Sequence, residues 1–283
     1  RRLTRMRIAV TGGSGKGGAW VVRDLRDHGH DVLNVDIRPG VPMSGESLVA
    51  DLTDLGQAQD ALAGVEALVH FAAIPAPGLR PEGETFRINA LSTFNVFHAA
   101  VAHKLRRVVW ASSETVLGLP FDVPPLFAPI DETIEPRPES SYALSKLTGE
   151  TMAAQFARRS GIGFVALRIS NIMEPEDYAG FPAFWDDAQL RRWNLWGYVD
   201  ARDVAQAARL ALEAPIEGAE TCIVAAADTV MTRPSADLMA EVFPTVPLRR
   251  RPVGHETLLA IDHARRVLGY SPSHSWRDHL DAQ

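Results

Sequence analysis

A glycine-rich turn near the start of the chain constrains the fold more than any other feature of the sequence. The β-type run 7–10 leads into a T-G-x-x-G-x-x-G pattern formed by Thr11, Gly12, Gly15 and Gly18. An amphipathic segment, 19–28, follows directly. A strand, a glycine turn and a helix in this order let the backbone approach a pyrophosphate at the helix N-terminus. The opening of the chain therefore predicts a dinucleotide-binding α/β unit.

A second β-type run ends in an acidic residue that fits the same unit. Asp36 closes the run 31–36, about 20 residues beyond the turn, where a carboxylate grips the adenosine ribose hydroxyls. A carboxylate at this position favours NAD and repels the additional phosphate of NADP. Arg38 and Lys16 would offset part of that repulsion. We therefore expect a preference for NAD.

The remaining pattern predicts a parallel sheet covered by helices. Apolar β-type runs alternate with helical patterns through residues 7–168, including a long helical stretch at 82–103. A proline-rich segment, 119–138, predicts a loop across the mouth of a site. After Asn171 the alternation breaks. A helix at 200–214, a strand at 221–226 and short helices, one of them at 256–268, complete the prediction.

Tyr142 and Lys146 form the strongest catalytic candidate in the middle of the chain. Side chains four residues apart on a helix share one face. A free tyrosine has a pKa near ~10, and a neighbouring ammonium group lowers that value. The pair is thus a candidate proton shuttle for a substrate hydroxyl or carbonyl. The spacing alone also fits a solvated helix face.

Further motifs accompany this pair in a fixed order along the chain. They are Asp51-Leu52 after a third strand, H-F-A-A at 70–73, Asn89, S-S-E-T-V-L-G at 112–118 and L-R-I-S-N at 167–171. With the glycine turn, Tyr142 and Lys146, they resemble the extended short-chain dehydrogenases/reductases, often called the NAD-dependent epimerase/dehydratase family. The resemblance extends from about residue 7 to residue 226.

The resemblance implies an α/β fold and a division of the chain. The expected fold is a doubly wound parallel (Rossmann) sheet with a small, discontinuous C-terminal substrate domain. Residues 1–171 plus 197–227 would form the dinucleotide-binding domain, and 172–196 plus 228–283 the substrate domain. The family also implies a homodimer built on two helices from each subunit. The apolar residues of the helical stretch at 82–103 fit either that interface or the core.

The resemblance also implies roles for individual residues. Ser113 would hydrogen-bond the reacting oxygen, Tyr142 would exchange its proton, and Lys146 would lower the pKa of Tyr142 and hold the nicotinamide ribose. The residues expected to bind NAD are Gly12, Gly15, Gly18, Asp36, Arg38, Asp51, Leu52, Ala72, Asn89 and Lys146. Those expected to contact substrate are Ser113, Glu114, Asn171, Arg191 and Trp196.

Comparison within the family favours a dehydrogenase of a small sugar, sugar acid or polyol. Sugar-nucleotide dehydratases have two adjacent acids after the residue matching Ser113, whereas this chain has Glu114-Thr115. Only a short segment separates Asn171 from Tyr198, which indicates a small substrate pocket. A nucleotide-sugar 4-epimerase that retains its NAD remains the alternative, and a non-catalytic NAD-binding sensor is a second one.

The chain shows some resemblance to uronate dehydrogenases, which oxidise free sugar acids. It shares with them Glu174-Pro175 and a Trp, Trp196, two residues before a late aromatic motif, but it departs from their Asn-His after Ser113. Arg191 and its neighbour Arg192 are candidates to grip a substrate carboxylate in a fork. Arginines on a solvated surface are the other interpretation of this pair.

Composition limits the partners and the compartment. A net charge of −6 argues against nucleic acid as a main partner, and the nine histidines show no metal-ligand spacing. No stretch is long and apolar enough for a membrane span. The single cysteine, Cys222, lies in an apolar run and indicates a buried strand thiol in a reducing compartment. We therefore expect a cytoplasmic protein without metal or membrane partners.

Overall fold

The computed structural model describes residues 5–39 and 45–279. Its strands are β1 (Arg7–Thr11), β2 (Asp31–Asp36), β3 (Ser47–Val49), β4 (Ala67–His70), β5 (Arg107–Ser113), β6 (Gly163–Ile169), β7 (Ile172–Met173), β8 (Val199–Asp200) and β9 (Ala219–Val224). Its α-helices are α1 (Lys16–Asp27), α2 (Leu55–Leu62), α3 (Glu82–Ala102), α4 (Ser141–Ser160), α5 (Ala201–Glu213), α6 (Ser235–Val242) and α7 (Asp262–Leu268).

Seven strands form one parallel sheet in the order β3-β2-β1-β4-β5-β6-β9. From β1 the chain adds β2 and β3 on one side of the sheet, and it then adds β4, β5, β6 and β9 on the other side. In such sheets ligands bind outside the carboxyl ends of the strands where the order reverses. This topology confirms the predicted doubly wound α/β fold and places a cleft beyond the ends of β1 and β4.

Helices cover both faces of the sheet because its strands are apolar on both faces. Within β1, Ile8 and Val10 join a core with Val21 of α1, while Ala9 points into the opposite core. The second core contains an aromatic cluster in which the ring of Phe97 lies 5.0 Å from that of Phe164, measured between centroids. Each face is thus closed by its own layer of helices.

Local capping fixes the helix that carries the catalytic candidates. The side chain of Ser140 accepts a hydrogen bond from the backbone N–H of Ala143 at 3.1 Å, which satisfies the first turn of α4. The helix ends at Gly161, whose φ of +76° gives a left-handed C-cap. α4 also packs along α3. The register of α4 over the sheet therefore determines where Tyr142 and Lys146 lie.

The C-terminal region differs from its predicted helix at 256–268. α7 begins only at Asp262, because the residues before it pair with the long loop at 119–138. The N–H of Ile130 donates to the carbonyl of Leu258 at 2.8 Å, and the N–H of Ala260 donates to the carbonyl of Ile130 at 2.7 Å. Cys222 is buried within β9, as predicted.

The two segments assigned to the substrate domain contact each other. The indole N–H of Trp185 donates to the carbonyl of Val230 at 2.9 Å, and its ring lies 5.2 Å from that of Trp276. These contacts join 172–196 to the described part of 228–283. The proposed division into two domains rests on this pairing and stays a prediction, and its outermost residues fall outside the described ranges.

Candidate active site

The glycine turn brings α1 against the ends of β1 and β4. Gly12 has a φ of +68°, and a Cβ at this position would lie 2.6 Å from the backbone nitrogen of Ala72. A Cβ at Gly18 would lie 2.1 Å from the carbonyl oxygen of Gly12. Any other residue at either position would force these backbones apart. The turn therefore exposes the N-terminus of α1 in the cleft, as the binding of a pyrophosphate requires.

Asp36 lies at the end of β2, beside this turn. Its carboxylate accepts hydrogen bonds from the backbone N–H groups of Ser14 at 3.1 Å and Arg38 at 3.3 Å. The side chain is largely buried yet still forms part of the cleft wall. The loop and the strand end are thus tied together by the residue predicted to bind ribose hydroxyls.

One cavity of about 1260 Å³ connects the glycine turn with Tyr142. Pockets for one small molecule commonly occupy ~300–1,000 Å³, so this cavity has room for a dinucleotide and a second, smaller molecule. The predicted site residues on its wall are Gly12, Gly15, Gly18, Asp36, Arg38, Asp51, Leu52, Ala72, Ser113, Glu114, Tyr142, Lys146 and Asn171. Three predicted residues, Asn89, Arg191 and Trp196, lie behind the wall.

Ser113 is oriented to donate its hydroxyl proton into the cavity. Its Oγ accepts hydrogen bonds from the backbone N–H of Thr115 at 3.2 Å and from the Thr115 hydroxyl at 3.0 Å. Because both bonds use acceptor positions, the proton of Ser113 remains available to another oxygen. Ser113 also interacts with the Tyr142 phenol. The strand end and the helix thus place two hydroxyls side by side.

Lys146 supports the other side of the Tyr142 ring. Its Nζ donates to the carbonyl of Ala111 at 2.7 Å and lies 5.6 Å from the centroid of the Tyr142 ring. Both side chains are buried. The arrangement brings together the three residues predicted for catalysis, from β5 and α4.

The electrostatics of this pair differ from the expectation. Burial raises the pKa of Tyr142 to about 12, with Ser113 lowering it in part and Glu114 raising it further. In the isolated protein burial outweighs the predicted lowering by Lys146, whose ammonium donates to the Ala111 carbonyl. Burial in turn lowers the pKa of Lys146 to about 8. The phenol is therefore protonated, and within this pair the lysine is the group closer to titrating at neutral pH.

Glu114 forms a buried acidic part of the cavity wall. The hydroxyl of Ser170 donates to its Oε2 at 2.6 Å, and the amide of Asn194 donates to its Oε1 at 3.2 Å. Burial raises the pKa of Glu114 to about 7, while these donors and the charge of Arg191 lower it. The carboxyl group thus lies in the wall between Ser113 and the segment 191–198.

Arg191 occupies a position that neither sequence interpretation predicted. It is buried rather than solvated, and its Nη2 donates to the carbonyl of Gly197 at 2.9 Å. Its guanidinium lies 5.2 Å from the Phe184 ring and 4.9 Å from the Trp193 ring. These contacts hold it behind the wall, so it braces the site instead of facing a substrate. The neighbouring Arg192 is partly exposed.

Trp196 also lies away from the cavity. Its ring is fully buried, and its indole N–H donates to the carbonyl of Ala188 at 2.7 Å. It packs edge-on against Phe243 at 6.1 Å. The prediction that Trp196 contacts substrate is therefore corrected: the ring is part of the core beneath the substrate segment. Trp193 lines the cavity in its place.

Asn89 shapes the cleft without facing it. Its side chain accepts from the backbone N–H of Ile74 at 2.7 Å and donates to the carbonyl of the same residue at 3.1 Å. This pair of bonds fixes the loop after β4, including the wall residues around Ala72. Asn89 thus positions the loop, and its predicted contact with the cofactor stays a prediction.

Two sets of contacts at the cleft were missed in the sequence. His70 bonds to Thr11 at 2.7 Å and to Thr93 at 3.2 Å, and burial lowers its pKa to about 3, so it joins β1, β4 and α3 as a neutral ring. The second set joins α1 to the segment 174–184. The Lys16 ammonium pairs with Asp177, and the indole N–H of Trp20 donates to Glu174 at 2.8 Å.

Neither set of contacts can be recognised from the local sequence. The H-x-A-A motif gives the position of His70 but not its partners, and the residues joined to α1 are more than 150 positions away along the chain.

In the described ranges, no helix has the length and apolarity to cross a bilayer. The same ranges contain no cluster of three His, Cys, Asp or Glu side chains suited to a metal ion.

Comparisons with known proteins agree with this geometry. The model of the NAD dependent epimerase/dehydratase family matches residues 8–226. A uronate dehydrogenase of Pseudomonas syringae pv. tomato is 34% identical over 179 residues, which are 60% of this chain and 62% of that protein. This match therefore spans less than two thirds of the relative. An L-arabinose 1-dehydrogenase (NAD(P)+) of Haloferax volcanii is 28% identical, covering 74% of this chain and 84% of its own.

The fold has close counterparts among solved structures. A short-chain dehydrogenase/reductase superfamily protein from Agrobacterium tumefaciens, solved with bound NAD, superimposes with a TM-score of 0.74 at 24% identity. The superposition covers 97% of this chain and 95% of that one. The architecture is therefore shared along almost the whole chain. With the family model matching well over half of its residues, the chain belongs to the NAD-dependent epimerase/dehydratase family.

Proposed function

We propose that this protein is an NAD-dependent oxidoreductase that transfers hydride at a carbinol carbon of a small sugar, sugar acid or polyol. One observation carries the proposal: Ser113, Tyr142 and Lys146 meet on the wall of the same cavity as the glycine turn. A dinucleotide on that turn would extend along the cleft toward these side chains. The cofactor supplies hydride chemistry, and the protein supplies position and proton transfer.

The cleft residues fit NAD. The space that a Cβ at Gly12 or Gly18 would fill is kept open for a close backbone approach. Asp36 would hold the adenosine ribose, and Asp51 and Leu52 would border the adenine. Because Asp36 places a carboxylate where NADP carries its additional phosphate, NAD should bind more tightly. Arg38, on the same wall, is the residue that would favour NADP instead.

Tyr142 would exchange a proton with the oxygen of the reacting carbinol, and Ser113 would hydrogen-bond the same oxygen. Tyr142 is protonated in the isolated protein, so it is ready to donate when a carbonyl is reduced. For oxidation its pKa must fall, and the nearby Lys146 ammonium is the group able to lower it. Lys146 would also bind the nicotinamide ribose.

The substrate end of the cavity is bordered by the short segment that follows Asn171. Its wall includes Leu119, Pro120, Asn171 and Trp193, and the segment behind it is held in place by Arg191 and Trp196. Two relatives, the uronate and L-arabinose dehydrogenases, carry names that describe oxidation of free sugars. A compact carbohydrate therefore fits this protein better than a nucleotide sugar.

The decisive assay screens aldoses, uronates and UDP-sugars with NAD while following NADH absorbance, with parallel analysis of the sugar products. We expect NADH with at least one free sugar, sugar acid or polyol. Epimerised UDP-sugar without NADH would support the 4-epimerase with retained NAD. Cofactor binding without turnover of any compound would support the sensor alternative.

Calorimetric titration tests the cofactor part of the proposal separately. NAD should bind more tightly than NADP, and Asp36→Asn should reduce that difference. Tighter binding of NADP by the unaltered protein would contradict the assignment of Asp36 and direct attention to Arg38.

We also propose a cytoplasmic homodimer. The helices α3 and α4 leave three large apolar side chains partly exposed, namely Leu91, Phe94 and Leu144. Contiguous exposed apolar surface commonly marks an interface. The reducing compartment is inferred from the single cysteine, Cys222, which is buried in β9.

A further inference from the structure

Glu114 places a negative charge at the reaction end of the cavity. It follows Ser113 in sequence, forms part of the cavity wall, and is only 3% exposed. It is also close enough to the Tyr142 phenol to raise the pKa of that group. A substrate whose carbinol oxygen meets Ser113 and Tyr142 would therefore lie beside this carboxyl group.

Burial raises the pKa of Glu114 to about 7, while its polar neighbours favour the ionised form, so the carboxyl group is ionised above neutral pH. Ser170 and Asn194 each donate a hydrogen bond to a different carboxylate oxygen, at 2.6 and 3.2 Å. Arg191 adds a positive charge from behind the wall. A carboxylate offers about four acceptor positions, and Ser170, Asn194 and the backbone N–H of Asn171 use part of them, which leaves capacity for one substrate hydroxyl.

Lys146 is the cation of the described cavity wall that lies beside Tyr142, and burial lowers its pKa to about 8, so it is largely neutral at about pH 8.5. Among the described wall residues, the cations are Lys16, Arg38, Arg80 and Lys146. Lys16 lies at the glycine turn and pairs with Asp177, and Arg38 follows β2, so both belong to the cofactor end. Arg80 lies 3.9 Å from Glu84, and Lys146 donates to the Ala111 carbonyl.

From this arrangement we propose that Glu114 determines the substrate class, selecting uncharged sugars or polyols over uronates. A substrate carboxylate would meet a like charge in a water-poor wall, where repulsion is strong, whereas a sugar hydroxyl would donate a hydrogen bond to Glu114. The inference rests on the proposed dehydrogenase function and narrows its substrate. It separates this chain from the uronate dehydrogenases despite their sequence similarity.

The first test uses the unaltered enzyme and three matched compounds: a hexose, its uronate and its uronamide. The uronamide keeps the size and planar shape of the uronate but has no charge. NADH formation should give a kcat/KM for the uronamide that is roughly tenfold or more above that of the uronate. The assay pH should be about 8.5, where a carboxyl group with a pKa of about 7 is ionised.

The second test is Glu114→Gln, which removes the charge and keeps the shape. The uronamide-to-uronate ratio of kcat/KM should fall about tenfold in this variant. Glu139→Gln is the matched control, because Glu139 lines the same cavity but is exposed and pairs with Arg137. The control should leave the ratio unchanged.

The outcomes separate the inference from the function on which it rests. A uronate used as well as or better than its uronamide by the unaltered enzyme would overturn the role of Glu114 while leaving the dehydrogenase proposal standing. The same conclusion would follow from a folded Glu114→Gln variant with an unchanged ratio. If neither these three compounds nor any sugar of the broader screen yields NADH, both the role of Glu114 and the dehydrogenase proposal would be overturned.

Discussion

Tyr142 and Lys146 occupy positions in which each charged form is unfavourable. Burial raises the pKa of the phenol to about 12 and lowers that of the ammonium to about 8. Catalytic groups commonly carry such perturbed values, because burial keeps them in the form that the reaction uses. Two substitutions separate the role of this pair in proton transfer from the cost of its burial to the stability of the folded protein.

Tyr142→Phe should remove the proton donor while preserving the ring and its packing. We expect kcat to fall ~10²–10⁴-fold, the usual loss when a general acid/base is removed. NAD affinity and the thermal unfolding temperature should change little, because the cofactor contacts lie elsewhere on the wall. Turnover near that of the unaltered enzyme would show that another group transfers the proton.

Lys146→Met should abolish activity yet stabilise the cofactor-free protein at pH 7. The folded-state pKa of about 8 lies below the ordinary value of 10.5, so below pH 8 folding must bury an ammonium. As pH rises from 8 to 10.5, the folded state loses this proton first and stability increases. The variant should gain about 1–2 kcal/mol at neutral pH, since the lost bond to Ala111 offsets part of the relief.

Chemical denaturation at several pH values measures this effect. The gain from Lys146→Met should shrink as the pH rises through about 10.5, above which the lysine is neutral in both states. A variant that is less stable at pH 7, or a gain that does not depend on pH, would contradict the proposed cost of the buried ammonium.

At the scale of elements, α1 and the substrate segment are joined across the cleft. Trp20 bonds to Glu174 at 2.8 Å, and Lys16 pairs with Asp177 at the start of the 3₁₀ segment Pro175–Phe184. Both contacts flank the glycine turn. We therefore expect them to slow the release of a dinucleotide held there.

Trp20→Phe tests this connection because it removes the indole N–H and keeps an aromatic ring. The dissociation rate of NADH, followed by stopped-flow fluorescence, should rise about threefold or more, as expected for loss of one hydrogen bond to a carboxylate. Asp27→Asn, at an exposed position of the same helix, is the control. An unchanged rate in Trp20→Phe would exclude this contact as a brake on release.

The elements differ in how far the sequence predicted them, for physical reasons. Gly12, Gly18 and the alternation of strands and helices followed from backbone requirements that are local and therefore visible in the sequence. The same holds for Tyr142 and Lys146, whose proximity follows from helix geometry. The placement of Arg191 behind the wall could not be predicted from the local sequence, because its burial depends on Phe184, Trp193 and the fold of an irregular segment.

Glu114 illustrates a property that the local sequence could not predict, namely the electrostatic state of a residue whose position was predicted. Its position beside Ser113 was evident from the sequence, and it forms part of the cavity wall, while its contact with substrate stays a prediction. Its partners Ser170 and Asn194 follow from tertiary packing, and they lie 56 and 80 positions away along the chain. Local sequence therefore predicted which residue faces the site, while its electrostatic state required the structure.

At the scale of the whole molecule, the exposed apolar residues of α3 and α4 predict self-association. Leu91 and Phe94 are 38% and 40% exposed on α3, and Phe94 packs against Phe156 of α4 at 5.7 Å. Leu91→Glu should convert a dimer to a monomer in light scattering at micromolar concentration. Leu126→Glu, on an exposed loop residue, should not. A monomeric unaltered protein would contradict the proposed dimer.

The stoichiometry of NADH per active site tests the central proposal most directly. The enzyme is mixed with excess NAD and with the free sugar or polyol that performs best in the screen, and NADH is quantified against enzyme concentration. A dehydrogenase that releases both products should form many equivalents of NADH per site, matched by oxidised sugar. At most one equivalent per site, with an epimerised and otherwise unoxidised sugar, would contradict the proposal and establish a cofactor that stays bound.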